Sequence, residues 1–441
     1  MLKITLSLIM ITALFSLLCA PLQAQNNGTL EGIALDKLGI LNTPGTGARP
    51  FSMGGAYTAI SDDAFALLYN PAGLAQVRRI ELSIGMHQLK NDITNKFLGY
   101  SAENTCSSTS IGHIALIYPY PTYRGGLALG FGVFRAGSSE LESFKNGYLE
   151  DIQAVVQNKY LQSGNLYQYH IGAGMDISPN ISLGAGIVIW DESIDFTDEI
   201  NYNDPGSLAV WNDDVSLDVD GFSMNLGLLY RANEFFKAGL MITTPVWLSL
   251  NGDGITNYDG TYKDGSGGWT VDPDYGVIDE NYTLPMKFRG GIAFFLPNFT
   301  LACDVSYTDF TQVKRNGKPI LDSIDFLGRH MFNDVLEYNA GLEFTVPGAP
   351  MRLRCGYSYR PLAIASIEEI GFIEEDYPTS YVGDVTTVRQ RQFFTFGVGT
   401  ILSRVLSVDA TLALGSFERE TPNLDEKRDI TEFLLSTAYR F

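Results

Sequence analysis

Residues 167–189 read YQYHIGAGMDISPNISLGAGIVI. Tyr167, Tyr169, Ile171, Ala173, Met175 and Ile177 alternate with Gln168, His170, Gly172, Gly174 and Asp176, which gives a strand one apolar face and one polar or small face. Ser178-Pro179-Asn180 turns the chain, and Ile181, Leu183, Ala185, Ile187 and Ile189 carry the apolar face back. Roughly ten residues per strand is the length that crosses a bilayer at a tilt. No polar residue interrupts either apolar face, so the pair reads as a transmembrane β-hairpin.

The same unit recurs at 221–231 with 235–248, 283–296 with 299–310, 335–346 with 351–360, and 392–402 with 405–415. Ile80, Leu82, Ile84 and Met86 open the series, residues 111–119 and 126–135 follow, and Phe433, Leu435, Thr437, Tyr439 and Phe441 end it. The count predicts an all-β fold, a transmembrane antiparallel β-barrel of about 14 strands over 80–441. Short connections such as Ser178–Asn180, Pro297-Asn298 and Ser403-Arg404 alternate with long ones at 137–164, 191–216, 251–281, 312–334 and 363–389. That sorting is how outer-membrane barrels face periplasm and exterior, and an even strand number closes the sheet without an edge. A soluble β-sandwich also alternates, but its loops have no reason to sort by length.

Composition agrees. Charged residues make up 18% of the chain against 12% aromatics and 45 glycines, fewer charges than the ~25% of soluble domains. The formal charge of −20 excludes a nucleic-acid partner, which needs clustered Lys and Arg. Lys3, the apolar run Ile4–Leu18 and Pro21-Leu22-Gln23-Ala24 have the order of a secretory signal peptide over 1–24, cut before Gln25. Bulky Leu18 before Cys19 speaks against lipidation. Cys106, Cys303 and Cys355 are too scattered for a disulfide framework or a metal site. No nucleotide, zinc-protease or nucleophile-elbow motif occurs, so no cofactor, no metal and no enzyme activity is expected. His87 and His170 on the lumen parity leave an outer-membrane lipid hydrolase as a third reading.

One stretch fits no strand pattern: GARPFSMGGAYTAISDDAFALLYNPAGLAQ, residues 47–76. Gly54-Gly55 permits a tight bend or a close backbone approach. Ser61-Asp62-Asp63 reads as an N-cap for Ala64–Tyr69, and Asn70-Pro71-Ala72-Gly73 ends that turn because Pro71 cannot continue it. Residues 25–79 are therefore expected to form an arm and a plug inside the lumen. Lys287, Arg289, Arg352, Arg354 and Arg440 are the inward cations offered to Asp62 and Asp63.

Gly54-Gly55-Ala56-Tyr57, Asp62-Asp63-Ala64 and Asn70-Pro71-Ala72-Gly73 resemble the hatch signature of the FadL-like family of outer-membrane transporters for long-chain fatty acids and aromatic hydrocarbons. They equally resemble the PorV-like subgroup, which contains the outer-membrane shuttle of type IX secretion. The first resemblance implies passive uptake of a hydrophobic or amphipathic molecule through a lumen site, hatch rearrangement and sideways exit at the third strand. Here that strand is Leu127–Arg135, beside Gly125, Gly126, Gly130 and Gly132. The second implies a secretion-shuttle or other partner-binding role.

Phe134, Val188, Leu229, Met241, Phe295, Phe393, Ile401 and Leu434 place apolar side chains on the face a wet porin would keep polar. They line a ligand pocket or pack against the hatch, and Arg289 and Arg391 suit an anionic head group. The other partners expected of such a monomer are outer-membrane lipid and the barrel assembly machinery, which reads a C-terminal strand ending in an aromatic residue, here Phe441. Residues 191–214 hold eight acidic residues and no Lys or Arg. Oxygen-rich turns of this kind suit calcium, but no twelve-residue calcium loop is complete, and a solvated, self-repelling surface is the simpler reading.

Overall fold

Alternation becomes a closed wall. The computed structural model describes residues 45–149, 153–319, 334–361, 363, 369–370, 382–383, 391–403, 405–420 and 424–441. The expected signal peptide, the expected arm as far as residue 44, His330 and most of the expected loop 363–389 lie outside the described residues. Fourteen antiparallel strands form the barrel. They are β1 (Glu81–Phe97), β2 (Tyr100–Tyr120), β3 (Leu127–Ser138), β4 (Ala154–Ser178), β5 (Ile181–Asn203) and β6 (Ser207–Arg231). β7 runs in two pieces, Phe236–Thr243 and Val246–Tyr262, and β8 likewise, Gly268–Leu284 and Lys287–Phe295. Then come β9 (Phe299–Asp309), β10 (Asp334–Thr345), β11 (Met351–Arg360), β12 (Arg391–Leu402), β13 (Leu406–Glu420) and β14 (Leu424–Arg440). β14 returns to β1, pairing Arg440 with Glu81 and Leu424 with Phe97, so no edge faces lipid.

The apolar set of each strand faces outward. Leu82, Ile84, Met86, Ile171, Met175, Leu183, Ile187 and Ile189 are all exposed, which is a lipid-facing band and not a failed core. Their alternation partners Ser83, His87, His170 and Ser182 are buried in the lumen.

Above the band the expectation of ten-residue strands and long loops is corrected. β4 and β6 run 25 residues each, and the ladder continues unbroken through Lys159↔Glu199 and Asp213↔Thr256. The alternation persists there but changes faces. Ile189 faces lipid, whereas Ile194, Ile200, Leu217, Val219, Leu248 and Leu250 are buried within, and Asp195 and Glu199 take the outer parity beside water. The supposed loops are a tall β-wall with its own apolar lining, turned at Asp204, whose Oδ1 accepts the N–H groups of Gly206 (2.6 Å) and Ser207 (2.7 Å).

Glu192, one residue beyond the outward Asp191 where the lipid band ends, is 1% exposed. Ser139 Oγ donates to its Oε1 at 2.5 Å while Oε2 has no partner, and burial pushes its carboxyl up to about 8. An acid raised in the folded state binds more protons folded than unfolded from pH ~4.3 upward, so stability falls as pH rises through that window. Glu192→Gln is expected to melt a few degrees above the parent at pH 9 and alongside it at pH 5. Equal melting of the two at pH 9 would contradict this.

Candidate functional site: a seated hatch and the chamber above it

The plug folds from short turns because its sequence allows nothing longer. α1 (Ala48–Ser52) ends at Gly54 and Gly55, whose φ values of 63° and 84° suit glycine. α2 is only Ala66–Tyr69 and carries no side-chain cap. The expected N-cap is thus displaced: Asp63 Oδ1 accepts Phe65 N–H at 3.0 Å, making a turn ahead of the helix. Asn70 caps the next element instead, the 3-10 turn Pro71–Gln76, accepting Ala72 N–H at 3.1 Å. Pro71 takes its first position, where no N–H is missed.

This hatch rests on the wall backbone to backbone. A Cβ on Gly184 would stand 2.2 Å from Ala72 N, and one on Gly356 would stand 2.2 Å from Gly54 N. Gly174, Gly239 and Gly341 would likewise meet Pro71 O, Thr58 O and Met53 O at 2.5, 2.3 and 2.5 Å. Lumen glycines on β4, β5, β7, β10 and β11 are therefore a seat. Gly130 of β3 belongs to it too, since a Cβ there would stand 3.0 Å from Leu67 of the hatch.

Polar clamps hold the seat in register. Asp304 Oδ2 on β9 accepts Tyr57 N–H (2.9 Å), Thr58 N–H (2.9 Å) and Thr58 Oγ1 (2.7 Å) while 1% exposed. Asp62 and Asp63 pair not with the wall cations but with Arg49 of the hatch itself, at 3.1 Å for Asp63. Arg49 reaches Glu343 (3.5 Å), which Arg354 holds at 2.6 Å while also meeting Asp409 at 2.6 Å. Ala64 N–H donates to Glu81, itself paired with Arg440. Arg49 was missed in the sequence, and its spacing of thirteen residues from Asp62 carries no signal for pairing.

The hatch separates two cavities. Below it, at the short-turn end, a charged hollow of about 290 Å³ is lined by Arg49, Asp62, Glu81, Arg352, Asp409 and Arg440. Above it lies a chamber of about 170 Å³, floored by Leu68 and Tyr69 and walled by Val188, Trp190, Val246 and Leu284. Lys287, Arg289, Glu337 and Arg360 share that wall. Lys287 Nζ meets Glu337 at 2.8 Å. Neither guanidinium makes an ion pair with a carboxylate among the described residues: Arg289 lies 5.5 Å over the Tyr69 ring, and Arg360 5.8 Å over Phe51 and 5.6 Å over Phe393. Arg289 Nε and Arg360 Nη1 are buried without any hydrogen-bond partner. Against the three cations stand Glu337 and, beneath, Asp304, which feels Arg289, so the chamber keeps one positive charge in excess.

Of the residues singled out in the sequence, Met241, Arg289 and Val188 line this chamber. Phe134 and Phe295 pack with the hatch residues Phe65 and Leu67 instead, and Leu434 and Phe393 against Phe51. Leu229 is fully buried outside the chamber lining, Ile401 lines the lower hollow, and Arg391 stacks on Phe417. Arg360 was missed; it is the last residue of its strand, where parity is hardest to read. Ser83 Oγ lies 2.8 Å from His113 Nε2, both 1% exposed, and Ser83 lines the lower hollow.

The wall ladder has two discontinuities at chamber height. Beyond His113↔Phe134, β2 leaves β3 and pairs only with β1 among the described residues. Between β7 and β8 the pairs Thr243↔Lys287 and Val246↔Leu284 bracket Pro245 and Pro285, which cannot donate to a ladder.

A family model described as BamG matches residues 1–345. No curated protein matches the sequence. Among solved structures, the P. putida toluene transporter TodX is 16% identical at TM-score 0.63, covering 91% of this chain and 99% of its own. The Ralstonia pickettii toluene transporter TbuX is 15% identical at 0.60, covering 91% and 100%. A Pseudomonas aeruginosa FadL homologue is 14% identical at 0.59, covering 90% and 98%. At such identities the likeness shows a shared fold, the hatch-filled outer-membrane barrel.

Proposed function

The chain belongs to the BamG family, and from the chamber above its hatch we propose that it takes up an anionic amphiphile from the outer face of the membrane and moves it passively. The observation that carries this reading is the pair of buried, unpartnered guanidinium nitrogens on Arg289 and Arg360 in a wall otherwise built from Val188, Trp190, Val246 and Leu284. Buried donors are normally satisfied, and a carboxylate head group would satisfy these two while its chain lay on the apolar wall, each buried methylene contributing ~0.8 kcal/mol. The toluene transporters and FadL homologue of the same fold support the apolar half of the reading. Onward passage needs a movement of the hatch or a route through one of the two ladder discontinuities.

The test is melting of the detergent-purified protein with dodecanoate and with dodecanol. Dodecanoate is expected to stabilise the protein well above dodecanol, and Arg289→Gln with Arg360→Gln to weaken dodecanoate roughly tenfold or more, from ~1.5–3 kcal/mol per charged hydrogen bond lost. Equal effects of the two ligands would contradict the head-group role.

A second reading, a closed barrel working through a protein partner, is favoured by the upper piece of β8. From Gly268 to Glu280 it pairs with β7 alone among the described residues, with Val271, Tyr275 and Val277 exposed. An open strand edge of this kind is a template for another chain. A partner that copurifies with a protein binding no amphiphile would favour it.

A further inference from the structure

The tall wall brings two carboxylates face to face with no cation paired to either among the described residues. On its inner face Tyr160 of β4, Asp198 of β5, Asp213 of β6 and Thr256 of β7 stand opposite one another in a single rung. Residues directly opposite in an antiparallel ladder have Cβ atoms ~5 Å apart, and like charges so placed destabilise the sheet. Neither Asp198 nor Asp213 makes an ion pair with Lys or Arg among the described residues; opposite Lys145 stands Asn158, whose amide, a neutral donor, bonds Asp198.

A second observation concerns Asp213 alone. It is 8% exposed, and its Oδ1 is buried with no hydrogen-bond partner. Burial is the largest influence on its carboxyl and raises it, Asp198 and Asp214 adding to that against Thr256 and Trp211. The rung above holds Ile200, Trp211 and Tyr258 beside Asn158, whose Nδ2 donates to Asp198 Oδ1, and the rung below holds Phe196, Val215 and Gly254 beside Gln162. An oxygen-rich rung whose negative charge no paired cation offsets is what a hard cation requires.

We propose that Asp198 and Asp213, with the Thr256 hydroxyl beside them, bind a divalent hard cation of the calcium class on the inner face of the extramembrane wall. The cation would bridge β5 and β6 and leave its remaining positions to water, which places the site in the weak range of extracellular calcium modules. It would staple the wall without taking part in amphiphile binding, since neither carboxylate lines the chamber.

The intact protein in detergent, stripped with chelator, is titrated with calcium chloride while melting is followed, and separately with terbium, whose luminescence an adjacent indole sensitises. Expected are a rise of a few degrees with calcium and terbium emission excited through Trp211. Asp198→Asn and Asp213→Asn should each abolish both responses, and Asp213→Asn in chelator should melt above the chelated parent because the repulsion is gone. Trp211→Phe should keep the melting response and lose most of the emission. The proposal is overturned if calcium leaves the parent unchanged, if the Asn variants respond as the parent does, or if lowering the pH reproduces the whole stabilisation and calcium adds nothing, in which case the pair shares a proton.

Discussion

Gly184→Leu is expected to unseat the hatch and convert a silent barrel into one with discrete openings in planar bilayers, while the barrel itself still forms. The reason is space: a Cβ at Gly184 would stand 2.2 Å from both Ala72 N and the Pro71 carbonyl carbon, and neither backbone can give way as a side-chain tip would. Overpacking of this kind costs ~1–3 kcal/mol even where neighbours relax, and here the cheapest relaxation is for the whole hatch to lift. Gly290→Leu is the matched control. A Cβ at Gly290 meets nothing within 4 Å, so that variant should conduct no more than the parent. Equal conductance of the two variants would show that the glycine seat does not hold the hatch.

Asp304→Ala attacks the same element from its polar side. It removes the acceptor of Tyr57 N–H, Thr58 N–H and Thr58 Oγ1 and leaves two backbone donors buried against the wall. Hydrogen bonds to a charged group contribute ~1.5–3 kcal/mol apiece and an orphaned buried donor costs ~1–3, so loss of several kcal/mol of hatch anchorage is expected. Hydrogen exchange over residues 48–76 reads it directly: protection should fall steeply in Asp304→Ala, less in Asp304→Asn, which keeps one acceptor, while β1 and β14 stay protected. Unchanged hatch protection in the alanine variant would contradict the clamp.

The barrel was legible because lipid leaves an unambiguous mark: an apolar residue at every second position over ten or so residues has few other uses. The wall above the membrane was not, because the alternation there reverses its meaning. Ile187 and Ile189 face lipid, Ile194 and Ile200 face inward, and the switch at Trp190 and Asp191 preserves hydrophobicity while changing the face that carries it. Acidic residues on the outer parity then made a paired strand read as a loop. The hatch motif was legible as turn chemistry, and Gly54 makes the close backbone approach expected of the Gly54-Gly55 pair, against Tyr357 and Ala340.

The site divided differently. Phe134, Phe295, Phe393, Leu434, Met241 and Val188 all obey the same parity rule, and only the height at which the hatch sits decides which of them it covers. Phe393 and Leu434 lie against Phe51 of the hatch, whereas Met241 and Val188 stand clear of it in the chamber. Pairing of Asp62 and Asp63 was hidden for a related reason. Arg49 meets them only because α1 and the turn after Ser61 fold onto each other, a tertiary fact without a local spacing.

The measurement closest to the central claim is a calorimetric titration of dodecanoate into the intact parent and into Arg289→Gln/Arg360→Gln, in an uncharged detergent. Saturable binding at one site in the parent, weakened roughly tenfold or more in the double variant with the melting of the unliganded proteins unchanged, is the predicted result. Binding of the same strength in both, or none in either, would contradict an anionic-amphiphile chamber above the hatch.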